Sequence, residues 1–164
     1  MLLLRSVVFT IIMPGTVTVV IPYLIIPRER TTALEHWAGV QYPSLIAIAI
    51  GVAILFRCIW DFARVGRGTL APIDPPSELV VQGLYRYVRN PMYLGVLIIL
   101  LGETIMFEST AVLLYAAVWL VVVQLFVVLY EEPALRRRFG ESYGRYYHAV
   151  HHWLPGKPFD GTRR

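Results

Sequence analysis

Residues 111–130 read AVLLYAAVWLVVVQLFVVLY, with Gln124 as the one strongly polar interruption. About 20 apolar residues are what a helix needs to cross the hydrocarbon core of a bilayer. Inside hydrocarbon the backbone must satisfy its own hydrogen bonds, so such a run folds as a helix. Three further apolar segments stand at Leu2–Ile26, Pro43–Trp60 and Met92–Phe107, the last being short. Leu2–Ile26 spans roughly 37 Å as a helix. It is too long for the apolar core of a signal peptide and lacks a small-residue cleavage site, so it reads as a retained span. Pro14 and Pro22 should kink it, with the nearby Thr hydroxyls satisfying the freed backbone groups. The segment "ESTA" closes a tight hairpin between the third and fourth helices. The fold class is therefore all-α: one polytopic membrane domain over residues 1–164, with about four transmembrane helices. Composition agrees, since only 16% of residues are charged where a soluble domain carries about a quarter.

Charge sets the expected orientation. Arg57, Arg64, Arg67, Arg86 and Arg89 lie between the second and third apolar segments. Arg136, Arg137, Arg138, Arg145, Lys157, Arg163 and Arg164 follow the fourth. The 27–42 loop holds only Arg28 and Arg30, and the 108–110 turn holds none. Cationic loops stay on the cytoplasmic side, which predicts a multi-pass protein with both termini cytoplasmic, in the inner membrane if the source is prokaryotic. The net charge of +4 is then a topology signal and not a nucleic-acid footprint, and the partners are membrane lipids. The Gly- and Pro-rich 61–91 loop and the tail share one face, where polar chemistry belongs. Long irregular loops in compact proteins are usually functional or disordered, and the ordered-looking aromatic sequence that ends this one favours function. In the tail, Leu135, Phe139, Tyr143, Tyr147 and Val150 recur about every four residues with arginines between them. That is an amphipathic helix suited to the membrane interface or to covering the loop, weakened or split at Gly140 and Gly144.

Candidate chemistry gathers at two helix ends. Glu131 and Glu132 precede Pro133, which should kink or stop the fourth helix. Adjacent residues of an α-helix point well apart, so one carboxylate should face inward. Glu132 has Arg136 four residues on, a favourable surface pair, whereas Glu131 lies on the apolar stripe and is assigned to the interior. Arg89, Asn90, Pro91 and Tyr93 stand at the mouth of the third helix, next to this break if the two helices form a hairpin. Cations and amide donors on one wall, a carboxylate on the other and tyrosines between suit a zwitterionic, aromatic ligand. An interfacial Tyr/Arg belt is the plainer alternative. Cys58, the single cysteine, excludes an intrachain disulfide and reads as a small buried residue. His148, His151 and His152 lack companions at metal-ligand spacing, so no metal site is expected and a membrane-surface cluster is read instead. Glu103, inside the third helix, is either functional or snorkels to water.

"GLYRYVRNPMYLG" at 83–95, followed by "EEPALRRRFGESYGRYYHAVHHWLP" at 131–155, resembles the superfamily of isoprenylcysteine carboxyl methyltransferases and phospholipid methyltransferases. The match covers residues 77–155. The resemblance implies an integral-membrane methyltransferase that uses S-adenosyl-L-methionine on a lipophilic substrate. It implies that Tyr85, the segment Asn90, Pro91, Met92 and Tyr93, and Glu131 line the cofactor site. Ser77, Glu78, Leu79 and Val80 match a further stretch that touches the cofactor, and Arg89 begins the turn facing its carboxylate end. No covalent nucleophile is implied, and the catalytic residues stay unassigned. Two positions depart from the pattern. The family's usual His is Asn90, which cannot titrate. The arginine that the isoprenylcysteine branch carries one turn before the carboxylate pair is Val127, which argues against a carboxylate acceptor. Two alternatives remain beside this reading: a relative of membrane sterol reductases, which share a similar turn and tail and use a nicotinamide cofactor, and a non-catalytic protein of the same fold.

Overall fold

The computed structural model describes residues 12–27, 39, 41–65 (backbone only over 62–65), 79 and 81–160. Among the described residues the regular structure is helical throughout. Helix α1 covers Ile12–Ile25, α2 covers Gln41–Val65, a 3₁₀ turn covers Gly83–Arg86, α3 covers Pro91–Met106 and α4 covers Thr110–Phe126. A π-helical turn at Val127–Glu131 leads without a break into α5, Glu132–Ala149. Two stretches are long and apolar enough to cross a membrane, Gln41–Asp61 and the continuous Thr110–Ala149. Ile12–Ile25 and Pro91–Met106 are shorter apolar helices. The first ten residues of the expected first span, 2–11, lie outside the described residues.

Two of the three prolines that were expected to kink helices, Pro22 and Pro133, act in the same way. Proline clashes with the carbonyl four residues back. Ahead of Pro22 the Ile21 N–H reaches back to the Thr16 carbonyl, and ahead of Pro133 the Glu132 N–H reaches the Val127 carbonyl. The ladder slips by one residue into a wider turn, and the helix continues. Pro133 therefore does not end the fourth helix. Thr18 helps at the first site, its hydroxyl donating to the Pro14 carbonyl at 2.8 Å. Gly140 does interrupt α5, with φ 51° and ψ −126°, a conformation open essentially to glycine.

The closest helix pairing is α2 with α3, built on small residues. A Cβ on Gly51 would stand 2.6 Å from the Gly95 carbonyl oxygen, and one on Gly102 would stand 2.7 Å from an Ile48 carbon. Ser44, Gly51 and Cys58 recur every seven residues along the buried face of α2, so one seam faces α3 along its length. Small residues let helix backbones approach where lipid supplies no hydrophobic drive between them. Leu55, Val96, Ile99, Leu100 and Ala116 form the buried centre, with Val17 and Trp119 packed against it. Tyr115 donates to the Val17 carbonyl at 3.1 Å, tying α1 to α4. Outward faces of α4 and the π turn after it carry Leu114, Val118, Val122 and Leu129, all well exposed, as a lipid-facing surface requires.

The apolar face of α5 covers Leu79 and residues of the 81–90 segment. Tyr143, Tyr146 and Val150 form a second buried cluster, against which Leu79, Val81, Leu135, Phe139, Tyr147 and Phe159 pack. The tail then straps back over the turn. Arg89 N–H donates to the His151 carbonyl, Gly156 N–H to Tyr87 and Phe159 N–H to Arg86, each at 2.9 Å.

Candidate functional site

The site is built where α3 starts and α4 passes into α5. Asn90 stands at the N-cap of α3 in a non-helical conformation, and Pro91 occupies the first turn, where its missing N–H costs nothing. The Asn90 side chain does not cap the helix. It is 8% exposed, and its Nδ2 is buried without a partner. A buried amide donor left unpaired is costly, so this nitrogen is placed for something other than the helix.

The two carboxylates divide the neighbourhood between them. Tyr93 donates its hydroxyl to Glu131 Oε2 at 3.1 Å, and its ring meets Trp119 edge-on at 6.3 Å. Burial pushes the Glu131 carboxyl above the usual carboxylate range; the Tyr93 hydroxyl opposes the shift and the Glu132 charge adds to it. Glu132 is the more buried of the pair, 7% exposed. Its Oε1 takes Arg89 Nη1 at 3.1 Å and also the His152 ring. The expectation that Glu132 is a solvated residue paired with Arg136 is corrected here. Arg136 stacks over the Tyr147 ring at 4.4 Å, and Glu132 faces inward. The cause is the π turn: i→i+5 bonding widens the helix and narrows the angle between successive side chains, so both carboxylates reach the interior. His152, too, is drawn to Glu132 and away from a surface cluster.

Arg89 also lies over the Tyr147 ring, 4.0 Å from its centre, and its Nε is buried without a partner. Tyr85 joins the two halves. Its hydroxyl hydrogen-bonds the Cys58 thiol of α2, and burial, followed by the Cys58 and Glu131 charges, pushes its phenol up. Its carbonyl accepts the Tyr146 hydroxyl at 2.7 Å. Burial likewise pushes the Tyr143 phenol up to about 12 and raises that of Tyr146. All three tyrosines are therefore protonated donors at neutral pH, and proton-accepting work falls to carboxylates.

Of the residues expected at the cofactor site, Tyr85, Asn90, Tyr93 and Glu131 come together with these properties. Arg89 is present, its Nη1 taken by Glu132 and its Nε without a partner. Leu79 packs on the tyrosine cluster, Met92 on the bundle core, and Pro91 is fully buried. Ser77, Glu78 and Val80 lie outside the described residues. Sequence reasoning missed Trp119, Cys58 and Asp61; the seven-residue spacing that marks Cys58 was available as a signal. Glu103 is half-buried with Oε2 unpartnered, one residue from Gly102 and towards the other end of α3. Among the described residues no three His, Cys, Asp or Glu side chains gather as a metal site.

Comparison with known proteins follows the same lines. Residues 40–142 match the family described as Phospholipid methyltransferase. A probable protein-S-isoprenylcysteine O-methyltransferase of Oryza sativa subsp. indica is 32% identical over 127 residues, which is 74% of this chain and 63% of that protein. Its counterpart in Oryza sativa subsp. japonica matches equally. An uncharacterized protein of Haemophilus influenzae is 35% identical over 63 residues, 38% of this chain and all of that one. The chain thus spans somewhat under two thirds of the rice relatives' length. No solved structure matches.

Proposed function

Because the chain belongs to the phospholipid methyltransferase family, we propose that it transfers a methyl group from S-adenosyl-L-methionine to a lipophilic acceptor at the cytoplasmic face of the membrane. The observation that carries this reading is the polarity of the site. Tyr93 orients the Glu131 carboxylate, while Asn90 Nδ2 and Arg89 Nε are buried donors without partners. The residues present fit a zwitterionic adenosyl ligand. The two nitrogens suit its carboxylate, Glu131 suits its ammonium or ribose hydroxyls, and the Tyr93–Trp119 pair offers aromatic faces to a cation. When bound, the cofactor supplies an electrophilic methyl on a sulfonium. The chain contributes orientation, since holding the reactants in a near-attack geometry accounts for much of the acceleration in such a transfer.

The arginine distribution supports four spans with both termini cytoplasmic; in that proposed topology the site lies at the interface, where a polar cofactor arrives from water and a lipophilic acceptor from the bilayer. Val127 is 2% exposed, so the position where the isoprenylcysteine branch carries an arginine is filled with apolar packing. An ionised carboxylate entering there without a cation loses several kcal/mol of solvation. The acceptor proposed is therefore a neutral or cationic lipophilic nucleophile.

The test is thermal stabilisation of the purified protein in detergent by S-adenosylmethionine or its demethylated product, since a ligand that binds only the folded state stabilises it by RT ln(1 + [L]/Kd). Stabilisation by NADPH and by neither adenosyl ligand would instead support a reductase.

A further inference from the structure

Asp61, near the end of α2, is unused by anything described so far. It is 5% exposed. Its Oδ1 pairs with Arg57 one turn back at 3.1 Å, an arginine whose own side chain is 52% exposed. Its Oδ2 is buried and has no hydrogen-bond partner. That oxygen stands against Gly83: a Cβ on Gly83 would lie 1.9 Å from it. Gly83 also has φ +55°, a conformation that glycine adopts freely. The bare glycine leaves the room in which the carboxylate sits.

The placement is functional in its geometry. Cys58 is three residues before Asp61, on the same face of α2, and Cys58 holds the Tyr85 hydroxyl. Tyr85 belongs to the 3₁₀ turn that Gly83 opens, and its phenol feels the Glu131 charge. Asp61 thus adjoins both the Cys58 thiol that meets Tyr85 and the glycine that opens the Tyr85 turn. A purely structural role leaves Oδ2 unexplained, because a carboxylate oxygen packed on a glycine carbon gains no hydrogen bond and an unpaired buried acceptor is costly. A donor arriving with a ligand removes that cost.

We propose that Asp61 is the acceptor-binding carboxylate of this site, its Oδ2 taking an N–H or O–H of a lipophilic amine or phenol beside the Cys58–Tyr85 contact. The assignment rests on the methyltransferase reading above. The acceptor's lone pair forms the bond to the methyl carbon. The carbon–sulfur bond breaks with its electrons left on sulfur, giving a neutral thioether. The proton lost from the acceptor passes to Asp61 Oδ2 and on to water. The same fixed charge repels a carboxylate acceptor, so Asp61 and Val127 select in the same direction.

The experiment offers the full chain three acceptors at once with methyl-labelled S-adenosylmethionine: phosphatidylethanolamine in phosphatidylcholine vesicles, a long-chain alkylphenol, and N-acetyl-S-farnesylcysteine. The wild type should label the amine or the phenol in preference to the carboxylate. Asp61→Asn should reduce that preference about tenfold or more, the scale of one charged hydrogen bond. Stabilisation by S-adenosylhomocysteine should persist. The preference is a ratio within one preparation, so it does not depend on the fraction folded. An unchanged ratio overturns the assignment, as does loss of adenosylhomocysteine stabilisation together with a uniform fall on all acceptors, the mark of a group that only holds the Gly83 turn. Wild-type preference for the carboxylate overturns it as well. A wild type with neither label nor stabilisation sinks the methyltransferase reading itself, and the assignment with it.

Discussion

Helices α2 and α3 meet through Gly51, Gly95 and Gly102, whereas the ends of α3 and α4 meet through Arg89, Tyr93, Glu131 and Glu132. The first junction is fixed by shape, its glycines meeting backbone and isoleucine carbons. The second is fixed by charge and is incompletely satisfied: Glu132 has two partners, while Asp61, Arg89 and Asn90 each keep a buried atom with none. The glycine seam sets the frame, and the polar cap above it is built unevenly, with one carboxylate consumed by structure and its neighbour poised by a tyrosine. Unsatisfied buried groups are uncommon in native proteins, and three of the five found among the described residues belong to this cap. An uneven cap is what a binding site for a polar ligand needs.

The largest expected effect tests the structural half of that division. Glu132→Gln leaves the Arg89 charge buried without its counter-ion. Removing one partner of a buried pair costs about 3–5 kcal/mol, so the protein should lose most of its stability against denaturant or heat. Next comes the seam. Gly51→Val drives a branched side chain into the Gly95 carbonyl and Ile99, and overpacking of this kind costs about 1–3 kcal/mol. The pH dependence belongs to Glu131. Its carboxyl is held above its ordinary value by burial, so the folded state prefers the protonated form. Its contribution to stability is complete below the ordinary carboxylate value and is lost as pH rises through the raised one. Glu131→Gln should therefore stabilise the ligand-free protein at neutral pH and match the wild type in acid, as thermal melts across pH will read. Smallest is Arg136→Ala, which removes an exposed stacking contact on Tyr147 and should cost about 0.5–1 kcal/mol.

The apolar helices were legible because hydrophobic runs of membrane length have few other readings. Their observed bounds differ from expectation by a few residues, as α2 shows by running on to Val65. Glu131 was legible from its place on the apolar stripe. Glu132 was not, because the expected angle between neighbours assumes an α-helix, and Pro133 forces the wider turn in which that assumption fails. The continuity of α4 and α5 was missed for the same reason. The strap made by Gly156 and Phe159 was invisible because it joins backbone to backbone and leaves no side-chain signature. Asp61 was hidden by distance along the chain, since only the fold brings it against Gly83.

The central claim is that Glu131, and not Glu132, is held available for the cofactor. Titration of S-adenosylhomocysteine into purified wild type and Glu131→Gln tests it most directly. Binding should weaken by about 1–3 kcal/mol, the scale of a lost buried charged hydrogen bond, in a variant whose ligand-free melting temperature at neutral pH is no lower than that of the wild type. Equal affinity in the two proteins, or weaker binding that merely follows a fall in stability, would contradict it.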